Sequence, residues 1–99
     1  MEKELLKQKV CAAIDAHADK IKAICASIND EPELGFKEVK TSAKVAEFMR
    51  ELGLEPQTGL AINGVKARAK GGKPGPTAAV LGELDAVGCP ASAKADPAT

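Results

Sequence analysis

Residues 3–29 contain neither glycine nor proline, and this unbroken run constrains the chain more than any other feature. Leu6, Val10, Ile14, Ile21, Ile24 and Ile28 recur within it at helical spacing, with Ala13 and Cys25 beside them. The pattern predicts one long amphipathic helix. His17, the single histidine, falls near the same face among alanines. It reads as a half-buried structural histidine rather than a ligand, and one histidine excludes a histidine-rich metal site built by this chain alone. The helix should stop at Asn29-Asp30-Glu31-Pro32-Glu33, because proline biases the residue before it away from helical angles.

A second helix is expected over 37–52, after Leu34-Gly35-Phe36. Its apolar face would be Val39, Ala43, Ala46, Met49 and Leu52, with Val45 and Phe48 alongside. Gly53 suits a left-handed C-cap, and Leu54 can supply the hydrophobic contact that follows one. From Glu55 the period changes. Residues 55–58 predict a short strand leading into Gly59. Over 63–70, Val65, Ala67 and Ala69 alternate with Lys66, Arg68 and Lys70, as in a half-exposed strand. Gly71-Gly72-Lys73-Pro74-Gly75-Pro76 is a turn. It lacks the spacing of a phosphate-binding loop and joins strand to strand, with no helix N-terminus to follow. Residues 77–84 are almost continuously apolar and predict a strand buried on both faces. Residues 88–99 read as coil.

With 99 residues the chain is one domain at most. Hydrophobic residues make up 44% of it, which argues against disorder. Phe36 and Phe48 are its only aromatics, so aliphatic side chains must do the packing. Lysine plus arginine equal aspartate plus glutamate at 14 each, which leaves no basic field for a nucleic acid and no basic membrane-surface helix. Met1-Glu2-Lys3-Glu4 lacks the layout of a signal peptide, and no apolar run reaches the length of a membrane span. Cys11, Cys25 and Cys89 have no CxxC spacing. On one helix, Cys11 and Cys25 would lie about 21 Å apart, too far for a disulfide. An unpaired set suits the reducing cytoplasm, and Cys11 and Cys25 read as small core filler.

Chemistry points to Glu83-Leu84-Asp85. Alternate residues of an extended chain project to one side, so the two carboxylates would emerge together at the end of the 77–84 strand. Strand ends of this kind are the usual places for sites in α/β sheets. Two close acids repel unless a cation or a histidine lies between them, and hard divalent ions and zinc accept such oxygens. Acidic pairs at strand ends are common, however, and the pattern by itself favours an ordinary solvated pair.

Four short motifs in order add to this. Pro32-Glu33-Leu34-Gly35-Phe36-Lys37-Glu38 resembles the PELGFxE signature of the amidohydrolase subfamily of aminoacylase-like metallopeptidases, which includes hippurate, auxin-conjugate and aminobenzoyl-glutamate hydrolases. Thr41-Ser42-Ala43, Val45-Ala46-Glu47-Phe48-Met49 and Leu52-Gly53-Leu54 are similar to its second helix. Gly72 to Thr77 resembles its GxGPT turn, and Gly82-Glu83-Leu84-Asp85-Ala86-Val87 its GExDAL variant of a metal-binding HxDxVP. The resemblance covers roughly residues 20–90.

The resemblance implies an α/β fold. Two antiparallel-packed helices would lie on the first two or three strands of a mixed sheet, at the start of a phosphorylase/hydrolase-like catalytic domain that residues 1–99 leave incomplete. It implies hydrolysis of the amide bond of an N-acyl amino acid or dipeptide-like substrate by a homo-oligomeric parent. Zinc, manganese or cobalt would polarise the carbonyl and lower the pKa of the attacking water. Asp85 matches an aspartate that orients or bridges at the metal centre. Glu83 occupies the first-ligand position, where histidine is usual, and Gly88 stands where proline is typical. Cys89, followed by proline, does not match the family's metal-binding cysteine, and Pro32 to Phe36 only shape a turn. The remaining ligands and the general base would lie beyond Thr99, so this chain alone is expected to bind no metal and to be inactive. A non-catalytic binding or regulatory module of the same fold, or an inert piece, is the alternative.

Overall fold

The computed structural model describes residues 2–89 and 91–94, which fall into two compact units, Met1–Asp30 and Glu31–Thr99. The first holds helices α1 (Lys3–Ala16) and α2 (Ala18–Asp30). Glu2 caps α1: its carboxylate accepts from the Glu4 N–H at 2.8 Å and the Leu5 N–H at 3.2 Å, two donors that the first turn leaves without partners.

The single helix expected over 3–29 is interrupted at one residue. His17 has φ −106 and ψ 10, outside the helical well. Its N–H is shared between the Ala13 carbonyl at 3.2 Å and the Ile14 carbonyl at 3.1 Å, a three-centre bond of the kind found at helix ends. The Ile21 N–H then donates to the His17 carbonyl at 3.0 Å and the helical pattern resumes. Histidine is a weak helix former, and no capping glycine is needed for so brief a break. Two expectations are corrected here. His17 is exposed rather than half-buried. Cys11 and Cys25 are exposed too, because the stripe Leu6, Val10, Ile14 and Ile21 beside them stays 42–53% exposed and forms no core.

The second unit contains α3 (Val39–Glu51), β1 (Gln57–Leu60) and β2 (Gly64–Lys66). Helix α3 ends as its sequence predicts. Gly53 has φ 82; its N–H donates to the Arg50 carbonyl at 2.9 Å, and the Leu54 N–H donates to the Met49 carbonyl at 3.0 Å. This pair of bonds is a Schellman motif. The strands pair antiparallel with an irregular register, Gln57 opposite Lys66 and Leu60 opposite Gly64. The loop between them carries Ala61 and Ile62 in left-handed backbone, at φ 45 and 82. Gly64 is required by close approach: a Cβ there would sit 2.5 Å from the Leu60 carbonyl oxygen.

Helix α3 packs on both strands. The core is small: Ala46 is 3% exposed, Thr41 2% and Glu38 8%. Val45, Phe48 and Met49 are half-buried around Ala46, whereas Val39, Ala43 and Leu52 lie exposed. The buried side of α3 is therefore rotated from the expected face towards Thr41 and Val45.

Both helix and strand are present, but the strand expected at 77–84 is not. Thr77–Leu84 runs without a ladder partner, and Val80 and Leu81 are 102% and 94% exposed. A strand is defined by the neighbours that take its N–H and C=O groups. Among the described residues the only sheet is the antiparallel β1–β2 pair, in place of the expected mixed sheet. The β2 strand is likewise shorter than the 63–70 alternation, although half-buried Val65 and Ala67 still alternate with exposed Lys66 and Arg68. Within the coil expected at 88–99, residues 91–94 turn, the Lys94 N–H donating to the Ser92 hydroxyl at 3.2 Å, and the Ser92 N–H donates to the Cys89 carbonyl at 3.0 Å; residues 90 and 95–99 lie outside the described set. No described helix is long and apolar enough to cross a membrane.

Candidate functional site

Glu83 and Asp85 sit on the extended segment after the Gly/Pro turn. Glu83, Asp85 and Val87 are exposed, while Leu84 and Ala86 between them are half-buried. The alternation expected of a strand thus survives without the strand, and it leaves both carboxylates on the solvent side. One bond ties this stretch down: the Ala86 N–H donates to the Glu33 main-chain carbonyl at 2.7 Å. The segment bearing the two acids is thereby joined to the Pro32–Glu38 turn.

That turn is held by its own acids. The Glu33 carboxylate reaches forward to the first turn of α3. One oxygen accepts from the Thr41 N–H at 2.6 Å and from the Thr41 hydroxyl at 2.7 Å, and the other accepts from the Lys40 N–H at 3.1 Å. These are orphan donors of a helix start, where a negative charge is also favoured by the helix dipole. Glu38, at the N-cap position itself, gives α3 no side-chain cap. Its carboxylate instead accepts from the Phe36 N–H at 2.7 Å and from the Asn63 side-chain amide at 3.2 Å, linking the turn to the hairpin loop. Phe36 takes φ 62 and points outward at 72% exposure. The Lys37 N–H closes the turn on the Leu34 carbonyl at 2.9 Å.

The hydrogen bond from the Thr41 N–H is the main reason the Glu33 carboxyl titrates below its ordinary value; partial burial opposes it, and the Thr41 hydroxyl and Lys40 add to it. Glu31 is lowered as well, first by the hydrogen bond from Lys44 at 2.9 Å and then by that from Lys40 at 3.2 Å.

Glu83 and Asp85 offer oxygen donors of the kind that hard divalent ions and zinc accept. Two carboxylates are fewer than a catalytic metal takes from its protein, and no group of three or more metal-ligating side chains occurs among the described residues. This segment does not by itself fit a metal. His17 and Cys89 are exposed and join no such group. The role of Glu33 was not legible in its motif, where Pro32 to Phe36 read only as turn-formers. The signal lay at position 38: a helix beginning on glutamate, without serine, threonine, aspartate or asparagine at its N-cap, needs its first N–H groups satisfied from elsewhere.

No family model matches the chain, and neither does any solved structure. Curated proteins similar to it include two carboxypeptidases and one named as an amidohydrolase. Thermostable carboxypeptidases 2 and 1 of Saccharolobus solfataricus are each 41% identical over 61 residues, which is 61% of this chain and 16% of theirs. The protein named "Putative amidohydrolase YhaA" of Bacillus subtilis is 33% identical over 87 residues, 88% of this chain and 21% of that one. The matched stretch thus spans 16–21% of these relatives' length. At that coverage the likenesses support an amidohydrolase- or peptidase-like family.

Proposed function

We propose that the chain is the N-terminal part of a metal-dependent amidohydrolase of the hippurate, auxin-conjugate or aminobenzoyl-glutamate hydrolase type, cleaving the amide bond of N-acyl or N-aminoacyl amino acids. Asp85 is its contribution to the metal site, and Glu83 a second carboxylate there. Further ligands, and the base that would take a proton from water, come from outside this chain. The observation that carries the reading is the bond between Ala86 and Glu33, which joins two motifs of the resemblance far apart in sequence. The hydrolase names of the similar proteins support it at a coarser level. In this chain the work of the residues is positional. Leu84 and Ala86 turn inward, Asp85 is left exposed, and the Glu33 carbonyl fixes the main chain one residue after the acid.

The experiment is Asp85→Asn in the longer hydrolase, with Glu83→Gln beside it, assayed on an N-acyl amino acid at saturating metal. Asparagine keeps the shape and removes the charge, and losses at metal-site carboxylates of this kind run to about 10–100-fold in affinity or activity. The melting temperature should barely move, since the side chain is exposed. An Asp85→Asn enzyme with near-normal rate and metal content would remove Asp85 from the site, because asparagine replaces aspartate readily in a turn.

A further inference from the structure

We infer that Glu33 is the positioning residue for the Asp85 segment, its carboxylate locked on the start of α3 and its main-chain carbonyl holding the Ala86 N–H. The functional consequence rests on the reading of Asp85 given above; the structural claim does not.

The geometry uses both ends of the residue. On the side-chain end, three donors converge on two oxygens: the Thr41 N–H and hydroxyl on one, the Lys40 N–H on the other. Thr41 is 2% exposed, so its hydroxyl and N–H have no water to turn to if the carboxylate is removed. Glu33 is therefore fixed relative to α3 by partners that cannot easily let go. On the main-chain end, the carbonyl of the same residue receives the Ala86 N–H at 2.7 Å. Fixing the side chain restrains the backbone of Glu33 and aims that carbonyl. Asp85 and Ala86 share a peptide unit, so the direction of the Ala86 N–H sets the plane from which Asp85 departs. Pro32 adds stiffness, since its ring fixes φ just before Glu33.

The demand on residue type is specific. Glutamine has one acceptor oxygen and an amide nitrogen that donates. It can serve Thr41 but presents a donor to the Lys40 N–H. Alanine serves neither. The two substitutions should form a graded series at a position far from them in sequence.

The test is amide hydrogen exchange, read by NMR on the full 99-residue chain without metal or substrate, at a concentration where it sediments as a monomer. In the unsubstituted protein the Ala86 amide should exchange more slowly than those of the exposed Val80 and Leu81. Glu33→Ala should raise Ala86 exchange about tenfold, the scale set by the net worth of a hydrogen bond. Glu33→Gln should give an intermediate rate. The Leu54 amide, in the Schellman motif at the far end of α3, should keep its protection in both variants. That contrast, and the partial rescue by glutamine, would not follow from a general loosening of the fold. An Ala86 amide that exchanges like Val80 in the unsubstituted chain overturns the inference. So does one that Glu33→Ala leaves unchanged while the Thr41 amide is released. If Glu33→Ala also strips Leu54, the glutamine variant decides: a faster Ala86 amide beside an intact Leu54 supports the inference, an unchanged one overturns it. The two readings fail separately. A coupled Ala86 amide with an active Asp85→Asn enzyme keeps Glu33 as the positioning residue and removes Asp85 from the metal site. An uncoupled amide with an inactive Asp85→Asn enzyme does the reverse.

Discussion

Glu33 and Glu31 give the second unit a predictable response to acid. Both carboxyls are held below the ordinary value of 4.5, Glu33 chiefly by the Thr41 N–H and Glu31 chiefly by Lys44. A carboxyl whose pKa is lowered by folding adds stability that is fully present above the unfolded value and is lost as pH falls through the folded one. Melting temperature should therefore hold from neutral pH down to about 5 and fall below the ordinary 4.5. Glu33→Gln should start lower at neutral pH and fall less in acid. Glu31→Gln should change less than Glu33→Gln, because Glu31 is itself well exposed and salt screens its pairs with Lys44 and Lys40, the Lys44 pair less than the other. Parallel curves for the unsubstituted chain and Glu33→Gln between pH 7 and 3 would mean that the charge of Glu33 does not reach α3. At this scale the sequence is unevenly legible. The left-handed Gly53 was legible because only glycine adopts that backbone cheaply. The exposure of His17, Cys11 and Cys25 was not, because helical spacing tells which residues share a stripe and not whether anything covers it.

At the scale of elements, two glycines that look alike in the sequence should behave differently. Nothing lies within 4 Å of a Cβ placed on Gly53, so Gly53→Ala meets only the cost of left-handed backbone, about 1 kcal/mol. At Gly64 the added Cβ would press on the Leu60 carbonyl oxygen at 2.5 Å, and backbone must move. Gly64→Ala should therefore lower the melting temperature more than Gly53→Ala does. It should also abolish cross-strand NOEs between Gln57 and Lys66, while α3 amides keep their shifts. Equal losses from the two substitutions would argue against the close approach at Leu60. Helix α3 was legible because its signals are local, a proline stop before it and a C-cap after it. The glycine- and proline-free run showed helix but not the break at His17. The period-two alternation showed β2 but neither its short length nor its pairing with β1, which lies two residues beyond the expected 55–58. The segment 77–84 is no strand despite its pattern, because that pattern concerns what should surround it. Continuous apolar residues ask for burial on two faces, and no other described strand lies alongside to supply it. The same division between local and remote signals holds at the candidate site. The alternation of Glu83 and Asp85 was legible, and the remote cap at Glu33, seven and eight residues from its partners, was not.

Taken whole, the molecule exposes much of what it should hide. Val80, Leu81 and Val87 are exposed on the second unit, and the stripe from Leu6 to Ile21 is open on the first. An extended apolar stretch with free main-chain groups recruits other chains. Sedimentation of the 99-residue protein should show association that grows with concentration. Val80→Lys with Leu81→Lys should suppress it, because lysine on an open edge opposes pairing. A concentration-independent monomer before substitution would mean that the segment is satisfied in some other way.

The bond from Ala86 to Glu33 also bears on the order in which the chain folds. It closes a loop of about fifty residues, and closure entropy grows as the logarithm of loop length, by more than one main-chain hydrogen bond returns. Helix α3 and the hairpin, whose contacts are near in sequence, must form first and shorten that loop before the bond can persist. The stretch carrying Glu83 and Asp85 is then the last part of this unit to assemble and the first to open. Limited proteolysis would be expected to find it before it finds α3.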